Sequence, residues 1–187
     1  MKLRTYAFAL MISLVTLTGC FPARESDREY FESYRASIDD ISMTAELRAD
    51  YGETIADFTL QYSEGDDSRR VDVLEPQLIY GVGVTISKDD STLEYDGIIL
   101  SVGELDQDGT TPITVMPALA DALRKWHLSD LRIEEHDNTR FLKAELSDMN
   151  HTTATFLFNE DMIPVSAELS ISGRVAAYCK IISWDMK

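Results

Sequence analysis

The sequence predicts an α+β protein, mainly antiparallel β, with a strongly curved sheet of about eleven strands over two helices. Three observations predict it. Apolar residues recur with a period of two in run after run, and at only two places does the period lengthen to that of a helix. The turns between runs are too short for parallel crossovers, so consecutive strands are antiparallel neighbours. The chain has 187 residues, 44% of them hydrophobic, which is enough for one domain with a real core. It has two cysteines, too few for a disulfide framework, so packing must hold it together.

The first segment stands outside this pattern. Lys2 and Arg4 precede an uncharged apolar run over residues 6–17, too short and wrongly flanked for a membrane span, which reads as a secretory signal. The signal ends in Leu17-Thr18-Gly19-Cys20, which resembles the bacterial lipobox. That resemblance implies cleavage after Gly19 and a diacylglyceryl thioether on Cys20, with palmitate-type acylation of the new N-terminus. Residues 1–19 are then the signal, 20–25 a lipid-anchored tether and 26–187 the domain.

Along the domain, Ser26-Asp27-Arg28-Glu29 fits a capping box, and Tyr30, Phe31, Tyr34, Ile38 and Ile41 recur at helical spacing, predicting a helix over 26–39. At Ile41 the period becomes two: Ile41, Met43, Ala45, Leu47 and Ala49 share one face. Ala56, Phe58, Leu60 and Tyr62 mark the next strand, ended by the polar turn 63–68. Val71 and Val73 mark a third, stopped by Pro76, and Val82, Val84 and Ile86 a fourth. Residues 92–95 and 98–102 flank Asp96-Gly97, a hairpin turn that accepts positive φ. Met116, Leu119, Ala120, Leu123 and Trp126 then predict a helix over 115–126, with Pro117 in its first turn. Four more alternating runs follow, led by Leu131/Ile133, Leu142/Ala144/Leu146, Ala154/Phe156/Phe158 and Val165/Ala167/Leu169/Ile171. Residues 175–184, apolar on both faces, predict a central strand, with Cys179 in it as a buried small hydrophobe. No repeat or linker divides the domain.

This order, with a lipobox in front, resembles the family of periplasmic lipoprotein carriers and receptors, LolA and LolB. The likeness rests on residues 34–47, on 74–82 (Leu-Glu-Pro-Gln-Leu-Ile-Tyr-Gly-Val), and on Leu93-Glu94-Tyr95-Asp96-Gly97 with Leu100 after it. It implies a half-barrel wrapped over helices around an apolar cavity, with a lipid or a lipoprotein acyl chain as ligand. The family's soluble carrier has no anchor, so Cys20 agrees with the receptor or with anchored relatives. In such a half-barrel Met43, Leu47, Phe58, Leu60, Phe156, Phe158 and Leu169 face inwards. They either pack a helix or line a groove for acyl chains, and side-chain identity alone does not report volume.

Charge narrows the partners. The chain has 17 basic and 33 acidic residues, a formal charge of −16, and loss of Lys2 and Arg4 with the signal makes it −18. Such a body repels nucleic acid and anionic headgroups, while two acyl chains, at about 0.8 kcal/mol per buried methylene, hold it on a membrane. No catalytic signature is present, and an enzyme is not expected; nor is a cofactor or metal. Glu104 to Gly109 matches the first half of a calcium loop, but the bidentate Glu the loop requires falls at Val115, so an acidic turn is expected. His127, His136 and His151 share no ligand spacing, and Asp39-Asp40 and Asp89-Asp90 read as element-end residues. The expected function is an anchored lipoprotein on the extracytoplasmic face that binds a lipid or acyl chain; in a diderm cell the address is the outer membrane, since Phe21 rather than Asp follows Cys20. The alternative is an anchored module holding a protein partner of the cell envelope or spore coat, without lipid. Replacing Cys20 by Ala is expected to release the protein from membranes or leave an uncleaved precursor. Unchanged fractionation and mass would refute lipidation.

Overall fold

The computed structural model describes residues 21–187 apart from Glu53, Asp66, Asp89, residues 106–108 and Asn138. The signal, Cys20, Asp89 and the middle of the acidic turn after Glu104 therefore lie outside the described residues. The elements in order are β1 (Phe21–Pro22), α1 (Glu25–Ala36), β2 (Ile41–Asp50), β3 (Ile55–Glu64), β4 (Ser68–Glu75), a 3-10 turn (Gln77–Ile79), β5 (Gly83–Ser87), β6 (Ser91–Tyr95) and β7 (Ile98–Gly103). After these come α2 (Pro112–Lys125), β8 (His127–His136), β9 (Thr139–Ser147), β10 (Thr152–Phe158), β11 (Pro164–Ile171) and β12 (Arg174–Met186). Among the described residues the strands form one antiparallel sheet, ordered β1-β8-β9-β10-β11-β12-β2-β3-β4-β5-β6-β7.

Two meanders, β2 to β7 and β8 to β12, are thus fused by pairing the last strand with the first long one, from Ala177 opposite Ala49 to Met186 opposite Ile41. The period-two runs set this register, because a one-residue slip would turn every apolar side chain outwards. Asp96 and Gly97 both have positive φ, 49° and 76°, as the hairpin between β6 and β7 demands. The expected half-barrel of about eleven strands over two helices is what forms, with β1 as a two-residue addition at one edge.

Three expectations are corrected. The first helix is capped by Arg24, whose amide donates to Asp27 Oδ2 at 2.8 Å, rather than by Ser26 with Glu29. It ends at Ala36, because the amides of Asp39 and Asp40 turn away to donate to the Lys187 carbonyl. The second helix starts earlier than 115: Thr111 caps it, exchanging hydrogen bonds with Thr114, and Pro112 holds the first-turn position. Pro117 is then interior and buried, at the loss of one helical amide. Finally, β12 is central in the ladder but covered on one face only, with Ala177 and Cys179 buried and Tyr178 and Ile182 exposed.

Both helices lie on the inner face. Phe31 and Tyr34 of α1 meet Phe158 edge-on at centroid distances of 5.5 and 5.8 Å, so these two aromatics of α1 are core packing, while Tyr30 is exposed. Arg35, buried on α1, donates from Nε to the Leu123 carbonyl at 2.5 Å and from Nη2 to the Trp126 carbonyl at 2.6 Å. A guanidinium thereby satisfies the C-terminal carbonyls of α2 and complements its dipole. Gly109 lies under the sheet where the chain returns from β7 to α2. A Cβ there would sit 2.1 Å from Leu169 Cδ2, and φ is +76°, so both space and backbone require glycine.

Replacing Arg35 by Met keeps the stem but removes the cap, and is expected to lower unfolding free energy by about 1.5–3 kcal/mol, the range for hydrogen bonds to a charged group. Denaturant titration checks this; no measurable loss would show that the cap is dispensable.

Candidate functional site

The inner face divides into a covered half and an open one. Six of the residues expected to face inwards, Met43, Leu47, Leu60, Phe156, Phe158 and Leu169, are buried, and Phe58 is half-buried beside Leu47. The structure brings all seven into one cluster with Val115, Met116, Leu119 and Leu123 of α2. In this conformation α2 rests on β2, β3 and β11, which carry Met43, Leu47, Phe58, Leu60 and Leu169, while Phe158 packs against Phe31 and Tyr34 of α1. Leu47 and Phe58 also border a surface pocket of about 560 Å³, whose rim carries the ion pairs Arg48–Asp57 and Lys180–Glu46.

An ionic network fastens α2 over that half. Arg124 donates to both oxygens of Glu64, at 2.5 and 2.6 Å, and to the Asp39 carbonyl at 3.0 Å. Glu64 also accepts from the Tyr62 hydroxyl at 2.6 Å and the Ile41 amide at 2.9 Å. Arg69 of β4 grips Asp121 of α2 through two bonds of 2.9 and 2.7 Å, and Lys125 lies 2.8 Å from the same carboxylate. Burial alone would raise Glu64, but the hydrogen bonds from Arg124, Tyr62 and the Ile41 amide hold it below the usual carboxylate range. Burial opposes ionisation of Asp121 as well, and Arg69 and Lys125 overcome it. The polar turn expected from residue 63 onwards starts later, since Glu64 belongs to β3 and its side chain is only 5% exposed. Arg69, five residues on, lies 3.4 Å from Glu64, but the bidentate partner Arg124 is 60 residues along the chain, beyond the reach of any local pattern.

The open half is the wing formed by β5, β6 and β7. Helix α2 rests on β2, β3, β4, β9 and β11. Beyond β4 one inward-facing row runs Val71, Val84, Leu93, Leu100 in register. Its exposure climbs from 0% at Val71 and 3% at Val84 through half-buried Leu93 to 55% at Leu100. Ile98, two residues from Leu100 and on the same face, is also exposed, as are Tyr95 and, on the segment after β4, Leu78 and Tyr80. By register Leu93, Tyr95, Ile98 and Leu100 form one contiguous apolar strip rather than scattered side chains, and such strips mark binding surfaces. Sequence reading found the strands of the wing but not their exposure, since alternation looks the same whether or not a helix lies beneath.

The cysteine and the histidines are placed away from this strip. Cys179 is fully buried and its thiol is pushed up to about 12 by burial, which makes it inert packing. His127 and His136 are exposed at opposite ends of β8, and His151 is exposed in the turn before β10. Among the described residues no group of three or more His, Cys, Asp or Glu side chains is placed to hold a metal.

Because Glu64 and Asp121 ionise more readily folded than unfolded, their contribution is complete above the unfolded values, near ~4.3 and ~3.9, and is lost as pH falls through the lower folded values. Stability should therefore drop below about pH 4. The Glu64→Gln variant is expected to lose about 3 kcal/mol at neutral pH and to show a shallower drop in acid, read by denaturant titration at a series of pH values. An acid slope unchanged by the substitution would contradict the assignment.

No family model matches the chain, and no curated protein matches it either. Solved structures do align with it. A conserved uncharacterised protein of Thermus thermophilus aligns over 87% of this chain and 88% of its own, at 11% identity and a TM-score of 0.48. A LolA superfamily protein of Nitrosomonas europaea aligns over 86% and 93%, at 13% identity and a TM-score of 0.45. The lipoprotein LppX of Mycobacterium tuberculosis aligns over 84% and 96%, at 12% identity and a TM-score of 0.40.

Proposed function

We propose that the protein is an extracytoplasmic lipoprotein, tethered through Cys20, that binds an apolar chain on the inner face of its half-barrel. The ligand is a lipid or the acyl chain of another lipoprotein. The observation that carries this reading is the rise in exposure along Val71, Val84, Leu93 and Leu100, where an apolar row leaves the core and continues into the open with no covering element among the described residues. An acyl chain laid along that row removes apolar area from water at about 25 cal/mol per Å², the driving force that the helices already exploit in the covered half.

The wing is the site of first contact in this proposal. Met43, Leu47, Phe58, Leu60, Phe156, Phe158 and Leu169 form the deeper path, reached when α2 moves off them. The ionic network of Glu64, Arg124, Arg69 and Asp121 sets how easily that happens. The tether is shorter than residues 20–25, since Phe21 and Pro22 pair with Ile133 and Arg132 of β8 and the Ala23 amide donates to Leu131. A lipid on Cys20 would emerge beside the β8 edge, holding the acidic body close to the membrane while its charge opposes direct contact with anionic headgroups.

The secreted body, purified without detergent, is expected to carry lipid mass in native mass spectrometry and to take up a fluorescent fatty acid. Leu100→Asp, at an exposed position, should weaken uptake by about tenfold or more with an unchanged melting temperature, whereas Leu60→Asp should unfold the protein. A clean apo mass with no uptake would remove the proposal. Uptake untouched by Leu100→Asp would move the site away from the wing.

A further inference from the structure

The outer edge of β7 is a second recognition feature, independent of the lipid reading. β7 ends the sheet, and among the described residues no strand pairs with its outer edge. Protein edges are ordinarily blunted by lysine, proline, a mid-strand bulge or brevity. Ile98–Gly103 reads Ile-Ile-Leu-Ser-Val-Gly, with no charge and no proline, all six residues are exposed, and its one irregularity lies at the far end, opposite Ser91 and Thr92. The opposite edge of the sheet is blunted: β1 is two residues long and contains Pro22, and β8 beside it carries Asp130, Arg132, Glu134 and Glu135.

The hairpin fixes which backbone groups are free. In a two-residue type I′ hairpin the pair flanking the turn exchanges both ladder bonds, so the amides of Ile98 and Leu100 face β6 and those of Ile99 and Ser101 point outwards. An added strand would bond to those two residues, and its alternate side chains would extend the row that ends at Leu100.

Charge selects the occupant. Exposed carboxylates flank the strand, Asp96 at the turn before it and Glu104 just after it. Two copies pairing antiparallel through β7 would set Asp96 of one beside Glu104 of the other, like charges between two strongly acidic bodies. A foreign segment with a cation at each end meets attraction at both. We infer that β7 is a docking edge for an extended segment of another protein, apolar at alternate positions and flanked by lysine or arginine, which joins the sheet as a further strand. In sheet order this edge lies at the end opposite β1.

The test uses the full-length protein in detergent micelles and two synthetic peptides, alternating valine and threonine with a lysine at each end in one and a glutamate at each end in the other. The lysine peptide is expected to bind about tenfold or more tightly than the glutamate peptide and to weaken in high salt. Ile99→Pro removes an outward amide without touching the β6 ladder and should abolish binding; Ile99→Thr, which keeps the amide, should retain it. Asp96→Asn with Glu104→Gln should erase the preference for lysine. Equal binding of both peptides, no binding of either, or binding preserved in Ile99→Pro, which subtracts any affinity of the peptide for micelles, would overturn the inference. So would self-association that Ile99→Pro abolishes, since the occupant would then be a second copy.

Discussion

A one-faced sheet longer than its cover is the constraint on which this structure depends. Twelve strands spaced ~4.8 Å apart extend ~50 Å across the sheet, whereas helices of 12 and 14 residues are only ~18 and ~21 Å long. Two such helices bury the middle of the inner face and leave an end bare. Where α2 sits decides which end. Arg35 holds its C-terminus from α1, and Glu64 and Arg69 hold its last turns from β3 and β4, so the cover stops at β4 and the wing begins there.

The same interactions shape the electrostatics of the molecule. Arg35, Arg69 and Arg124 are turned inwards to fasten helices, and Arg48, Arg70 and Lys180 are paired on the sheet's outer face. The excess of acid over base is therefore carried outwards. Such a charge distribution opposes close approach to an anionic surface. The network that fixes α2 is itself built from carboxylates stabilised in the charged form, so the cover of the deep half is weakest in acid.

Local physics made most of the fold legible. The alternation in Ile41–Asp50, the Asp96-Gly97 turn and the block at Pro76 each follow from two or three adjacent residues, and each is realised. The helix starts were less legible, because Asp27 and Thr111 had equally good competitors one or two positions away. Illegible altogether were the contacts of Glu64 with Arg124 and of Arg35 with the Leu123 carbonyl, 60 and 88 residues distant, and the extent of the cover. Leu60 and Leu100 occupy equivalent places in their alternating runs, yet one is sealed and the other open. That difference is a property of helix length against sheet width, which no single run of residues contains.

The most direct test of the central claim is to locate an apolar chain on the protein. A fatty acid carrying a terminal diazirine, photolysed in complex with the detergent-free protein and mapped by mass spectrometry of peptides, reports the residues it touches. Adducts concentrated at Leu93, Ile98 and Leu100 are predicted. Adducts confined to Met43, Leu60 and Phe156 with the wing unlabelled, or scattered over the surface, would contradict the account.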